Sequence, residues 1–253
     1  MIAISLQSGS NGNCIYVEGG GVRVLIDAGI SGLKAQRRLE AAGRNIRNVD
    51  ALILSHDHSD HTSGAGIFQR KFALPIHATR KTMSAAQRRN IGPVEDVRFF
   101  SAGDTIDLGS MQVHTMPTPH DGVDGVMFII QCGQKRLGVL TDLGHPFEAL
   151  GAALGSVDAA FIESNYDPGM LRNGPYPVFL QNRIAGPGGH LSNDQCASLL
   201  DKCGRGLKWA CLAHLSEQNN SPEVAMRTNR QAISHGLTLH IASRYEAGGP
   251  LEI

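Results

Sequence analysis

No apolar run in the 253-residue chain approaches the ~20 residues that a membrane-spanning helix requires, which excludes a helical membrane protein. No N-terminal segment pairs a basic stretch with an apolar one, so no secretory leader is expected. The five cysteines (Cys14, Cys132, Cys196, Cys203, Cys211) are odd in number, scattered and without a C-x-x-C pair. That pattern argues against a disulfide frame or a zinc knuckle and for reduced thiols in the cytoplasm. No repeat, low-complexity stretch or charge run marks a boundary, so residues 1–253 are expected to form one domain. Net charge is also missing: 23 Lys and Arg balance 23 Asp and Glu, which argues against a protein that holds duplex DNA by bulk electrostatics. Residues 34–98 nevertheless carry twelve basic against six acidic residues. Their pairs Arg37-Arg38, Arg70-Lys71, Arg80-Lys81 and Arg88-Arg89 either line a cleft for a polyanion or are ordinary solvated helix faces.

What the chain does have is concentrated at residues 51–61, ALILSHDHSDH. An apolar run ending in polar turn residues reads as a buried strand, here Ala51–Ser55, that delivers His56, His58, Asp60 and His61 onto the loop at its end. Neutral imidazoles and carboxylates are ligands of divalent transition metals, and packing alone has no use for so many at one spot. His56 and His58, two apart, can converge on one ion, while Asp60 and His61 are offset toward a second.

Around this cluster the sequence alternates short apolar runs with turns. Ile2–Leu6, Cys14–Val17 and Val22–Asp27, separated by Gly/Ser/Asn turns, predict a β-meander. The Gly-rich turn Ser8–Asn13 lacks the Lys and following helix of a P-loop and reads as a hairpin turn bordering the site. Helices are predicted over Ser31–Ala42, from Thr62 or Ser63 onward, over Thr79–Asn90 and over Ser221–His235, with Ser31 and Ser221 as N-caps. Further strands are predicted at Val97–Phe100, Met111–Met116, Val126–Cys132, Leu137–Thr141, Val157–Ile162, Trp209–Ala213 and Thr238–Ala242. Two batches of strands with accompanying helices point to an α/β protein of two packed sheets with helices outside. His120, Asp142 and His214 each follow an apolar run, the same context as His56.

The His-x-His-x-Asp-His pattern at 56–61 resembles the signature of the metallo-β-lactamase superfamily. The resemblance implies a four-layer αββα sandwich with one or two metals at the edge of the sheets. It implies one divalent ion held by His56, His58 and His120 and another by Asp60, His61 and His214, with Asp142 bridging. Two such ions about 3.5–4 Å apart can hold a hydroxide and stabilise the attacking and leaving oxygens of a phosphoryl displacement. Seven N/O ligands without a thiolate suit zinc or manganese, with iron possible. Glu163 in ESNYD and His190 in GGHLSN match the Glu and His elements of the RNase Z-like branch, where the His lies near the scissile phosphate and the Glu orients it. The implied catalytic set is therefore His190, Glu163 and Asp60.

SGSNGNC, SHDHSDHTSG, the block from SNYDPGML to GPGGHLSN, and LAHLSEQNNSPEVA together resemble the YycJ/WalJ (VicX) family of this superfamily over essentially the whole chain. That resemblance implies a metal-dependent nuclease acting on nucleic acid, as a 5′-to-3′ DNA exonuclease. Only 48 positions separate Asp142 from His190, too few for the extra domain of β-CASP nucleases. The Pro- and Gly-rich segment Asn165–Gly189 reads as a wall or lid. Within and beside it, Arg183 is a candidate phosphate contact and Tyr166 or Tyr176 a base-stacking surface. Ser192 and Asn193 cap the next helix, whose N–H groups would face a phosphate. A small-molecule hydrolase of the same fold, acting on a cyclic phosphodiester, lactone or thioester, is the alternative, and a binding protein without turnover is a third reading.

Overall fold

The computed structural model describes residues 1–253. Its first sheet has seven strands in the order β14 (Leu251–Glu252), β1 (Ile2–Gln7), β2 (Cys14–Gly19), β3 (Val22–Ile26), β4 (Ala51–Ile53), β5 (Ile76–Ala78), β6 (Val97–Phe99). The second, also of seven, runs β13 (Thr238–Ile241), β12 (Trp209–Ala213), β11 (Ala159–Glu163), β10 (Lys135–Leu140), β9 (Val126–Cys132), β8 (Met111–Pro117), β7 (Thr105–Asp107). Both faces of each sheet are buried, as the near-continuous apolar strands require.

Side-chain alternation sorts the apolar residues into layers. In β3, Val24 and Ile26 face the opposing sheet while Leu25 faces outward; in β11, Ala159 and Phe161 face inward and Ala160 and Ile162 outward. The inward residues of both sheets form a central core of 23 residues. The outer face of the first sheet packs against α1 (Gly32–Ala41), α3 (Ala65–Phe72) and α4 (Arg80–Arg88). That of the second packs against α5 (Glu148–Gly155), α8 (Asn193–Cys203) and α9 (Pro222–Ala232). This is the expected αββα sandwich.

The parallel strands position the site. β3 pairs parallel with β4, and β10, β11 and β12 form a parallel trio. Parallel neighbours end on the same side, so the residues that follow them collect at one edge.

The structure departs from the sequence expectations at short or locally overruled elements. β5 and β7, three residues each, and β14, two residues, carry too little pattern to read. α9 ends at Ala232 and not His235, because Ser234 turns away to hydrogen-bond Asp201 through its N–H (2.8 Å) and hydroxyl (2.7 Å). The helix expected after the histidine cluster starts earlier: α2 (Ser59–Thr62) contains Asp60 and His61 and breaks at Gly64 before α3. Gly64 has no room for a side chain, since a Cβ there would lie 2.4 Å from the Ile30 carbonyl.

Phe161 sits fully buried between the sheets, edge-on to Trp209 at 5.5 Å. Phe161→Ala is expected to cost about 3–5 kcal/mol in a denaturant titration.

Candidate metal centre

At the common edge, the strand ends turn sharply. Asp27, Asp142 and His214 follow β3, β10 and β12 and adopt left-handed φ values of 64°, 56° and 56°. Non-glycine residues rarely hold that conformation, and here three of them cluster in one place. His56 follows β4, and α2 lifts Asp60 and His61 beside it. The donor atoms of His56, His58 and His120 lie within 4.8 Å of one another, as do those of Asp60, His61 and His214. Asp142 stands between the sets, Oδ2 at 3.3 Å from His61 Nε2 and Oδ1 at 3.7 Å from His120 Nε2. All seven expected ligands therefore converge.

Hydrogen bonds outside the cluster fix which nitrogen each ring presents. His61 Nδ1 donates to Asp27 Oδ2 (2.7 Å), and His120 Nδ1 donates to the Gly189 carbonyl (2.8 Å). The Ser55 hydroxyl donates to Asp27 Oδ2 (2.9 Å) and so accepts from His56 Nδ1 (3.0 Å). Each arrangement turns Nε2 inward as the nitrogen that can bind a metal once it carries no proton. His58 instead presents Nδ1, 3.3 Å from His120 Nε2.

Burial lowers the pKa of His56, and His61, His58 and His120 push it further down, so its imidazole is neutral. Burial also lowers His214, but Asp142, Asp60 and Glu163 outweigh it and raise it to about 10. His61 is likewise raised well above its usual range against burial, by Asp142, Asp27 and Asp60. Burial opposes ionisation of Asp60, yet His61 and His214 hold it far below the carboxylate range.

The residues fit a divalent ion. His56 Nε2 is buried with no hydrogen-bond partner, and Asp142 Oδ2, also without one, has only the His61 ring at 3.3 Å; a divalent ion would answer both. The donor set of imidazole and carboxylate is one that zinc, manganese and iron accept.

Glu163, the last residue of β11, lies fully buried behind the ligands. Its Oε1 accepts from His190 Nδ1 (2.7 Å) and sits 3.3 Å from His214 Nδ1. Its Oε2 accepts from the N–H groups of Leu143 (3.1 Å) and Leu191 (3.0 Å). Burial raises its pKa, but His190 and His214 overcome that and hold it well below the usual value.

The expected substrate contacts fare differently. Tyr166 is buried, 6% exposed, so it offers no stacking face. Asn193 is fully buried, accepting from Ser164 Oγ (2.6 Å) and exchanging hydrogen bonds with Asn220. Ser192 closes a capping box with Gln195, and the Asn193 N–H donates to the Tyr166 carbonyl (2.8 Å). Two of the first three N–H groups of that helix, those of Asn193 and Gln195, are thus satisfied internally and are not available to a phosphate. Arg183 is exposed and ion-paired to Asp121 (2.7 Å). Of the basic pairs, Arg38 donates to the Leu6 carbonyl, Arg70 to the Pro93 carbonyl and Arg89 to Asp57, so these guanidinium groups hold the structure together and do not line a cleft. The segment 165–189 is more regular than expected, containing α6 (Pro168–Asn173) and α7 (Val178–Ala185).

Asp27, Asp121 and Asn13 were not singled out from sequence. Asp27 ends an apolar strand just as Asp142 does, and Asp121 directly follows His120; those were the available signals. Asn13 lies in the Gly-rich turn, its Nδ2 3.3 Å from Asp60 Oδ2 and 3.0 Å from His61 Nε2, while Ser8 Oγ accepts from the His214 N–H (2.8 Å).

A two-sheet sandwich with a histidine–carboxylate cluster at one edge defines a metallo-hydrolase. Comparison with known proteins agrees: the beta-lactamase superfamily domain matches residues 22–214. The exodeoxyribonuclease YycJ of Bacillus anthracis is 33% identical over 231 residues, 90% of this chain and 87% of its own. The exodeoxyribonuclease WalJ of Streptococcus pneumoniae is 33% identical over 227 residues, 88% of this chain and 84% of its own. The crystal structure of the metallo-beta-lactamase fold protein YhfI from Bacillus subtilis superposes over 100% of both chains with a TM-score of 0.75 at 15% identity. The chain belongs to the metallo-β-lactamase superfamily of hydrolases and, within it, to the YycJ/WalJ family.

Asp27→Asn is expected to weaken zinc or manganese binding about 10–100-fold by calorimetry, because His61 loses its anionic anchor. Metal uptake must displace protons from His61 and His214, so affinity is expected to fall as pH drops. Titrations in buffers of different ionisation enthalpy will show that proton release; uptake without it would contradict the charge assignment.

Proposed function

We propose that the chain is a dinuclear-metal-dependent phosphodiesterase that degrades nucleic acid, acting on single-stranded or end-bound DNA as a 5′-to-3′ exonuclease. The observation that carries this reading is the sharing of Asp142 between two three-ligand sets, with the His190–Glu163 pair beside them. The names of the YycJ and WalJ relatives, both exodeoxyribonucleases, support a nuclease that acts on DNA from an end; the 5′-to-3′ polarity follows only from the family resemblance of the sequence.

His56, His58 and His120 would hold one ion, Asp60, His61 and His214 the other, with Asp142 common to both. Zinc or manganese, or iron, would there supply Lewis acidity and neutralise charge on a phosphodiester. The chain's own contribution to proton transfer lies in His190. Its Nδ1 is tied to Glu163, so the proton on that side is held and the ring is fixed in orientation. Its Nε2 has no protein partner and is free to give a proton to the leaving oxygen. Glu163 acts through His190 and His214, which keep it ionised, and its two backbone donors hold its other oxygen in place. Asp60 belongs with the catalytic set as the carboxylate between His61 and His214.

The test is hydrolysis by metal-loaded protein of 5′-labelled single- and double-stranded DNA and RNA, beside bis(p-nitrophenyl) phosphate and a lactone panel. Nucleotide release abolished by Asp142→Ala is expected, with His190→Ala lowering kcat about 10²–10⁴-fold while metal content stays unchanged. Turnover of lactones or small esters alone would sink the nuclease reading.

A further inference from the structure

α7 differs from every other long helix of the sandwich in having no buried residue. Val178 and Phe179, in its first turn, are 69% and 75% exposed, the largest exposures among the big apolar side chains. The chain just beyond α7 is, by contrast, held tightly. The consecutive carbonyls of Pro187, Gly188 and Gly189 accept from His145 Nδ1 (2.8 Å), the Asp121 N–H (3.0 Å) and His120 Nδ1 (2.8 Å). The His190 N–H donates to the Ile184 carbonyl inside α7 (2.9 Å). Gly189 allows this fold-back, since a Cβ there would meet the Ile184 carbonyl at 2.1 Å. α7 is thus an arm fixed to the metal centre at one end and bare at the other.

The bare face is built in a particular way. Phe179 and Arg183 are four residues apart and share one helix face, with Cβ atoms about 5–6 Å apart. Arg183 Nε binds Asp121 Oδ2 at 2.7 Å, and Asp121 Oδ1 lies 3.4 Å from His120 Nε2 and 3.5 Å from His58 Nε2. The terminal guanidinium nitrogens of Arg183 have no protein acceptor, and α7 carries no acidic residue. An aromatic face therefore stands one helical turn from a cation whose partner touches two metal-ligand histidines. A ring and a cation at that spacing match the repeating base and phosphate of a nucleic-acid strand. Bases engage the ring only where they are unstacked, that is, in single strands or at ends.

We propose that Phe179, with Arg183 one turn along, is the platform on which an unpaired base stacks as a strand end enters the metal centre. This rests on the nuclease reading but is testable apart from it. The probe is a phosphorothioate oligodeoxynucleotide carrying 2-aminopurine, titrated against wild type, Phe179→Ala and Phe179→Trp. Stacking predicts fluorescence quenching by wild type, lost in Phe179→Ala with about 10-fold or greater weakening of binding, and restored in Phe179→Trp. Hydrolysis of bis(p-nitrophenyl) phosphate is expected to remain within about 2-fold in both variants, because a substrate without a nucleobase gains nothing from the platform. Unchanged quenching and affinity in Phe179→Ala would overturn the proposal, as would a parallel loss of bis(p-nitrophenyl) phosphate turnover. A wild-type dimer that Phe179→Ala dissociates in sedimentation would also overturn it, by assigning this face to a second copy of the chain. If wild type cleaves no nucleic acid, the nuclease reading fails, while the quenching result still decides the platform.

Discussion

A carboxylate removed from water must be answered by donors or by positive charge, and at this sheet edge that requirement organises everything around it. Glu163 and Asp27 meet it entirely from within the protein. Glu163 gathers His190, His214 and the backbone of Leu143 and Leu191; Asp27 gathers the N–H and hydroxyl of Ser55 together with His61. Asp142 meets it with charge alone: Oδ2 accepts no hydrogen bond, and its nearest cation is the His61 ring at 3.3 Å. The contrast separates the carboxylates that orient the site from the one left open to a cation.

The same contacts join elements far apart in the chain. Glu163 sits on the middle strand of the parallel trio, so its two oxygens lock the loops that follow β10 and precede α8. Asp27 ties the end of β3 to the residues after β4 and to His61 of α2. A buried asparagine network carries the restraint outward: Asn165 Nδ2 holds the His214 carbonyl (2.6 Å), and Asn220 bridges Ser164, Asn165 and Asn193. Polar groups this deep add order only because nearly all are satisfied.

A chain of zero net charge can still handle a polyanion if the charge is local. Three of the six guanidinium groups read from sequence as a basic patch are spent on backbone carbonyls and on Asp57. What remains near the metal centre is chiefly Arg183, so contact with a strand there would depend on the ions and on stacking more than on a broad electrostatic surface.

The clustered donors were legible in the sequence because metal binding demands particular side chains, and His56, His58, Asp60 and His61 fall within six positions. The strand-end placement of His120, Asp142 and His214 was legible from apolar runs, and the resemblance tied them together. The sandwich followed from the two batches of strands. Burial was not legible. Tyr166, Ser192 and Asn193 carry the right functional groups for a substrate, yet a side chain's chemistry does not say whether it faces solvent or core. Asp27 and Asp121 escaped notice because a lone Asp at a strand end or in a loop has many ordinary uses, and only the approach of His61 or Arg183 across dozens of residues gives it one. The sequence by itself determined which donors are available and in what order they leave the strands. The tertiary structure decided which nitrogen each histidine presents, which carboxylate lacks a hydrogen-bond donor, and which aromatic stays in water, because those depend on contacts between segments that no local pattern encodes.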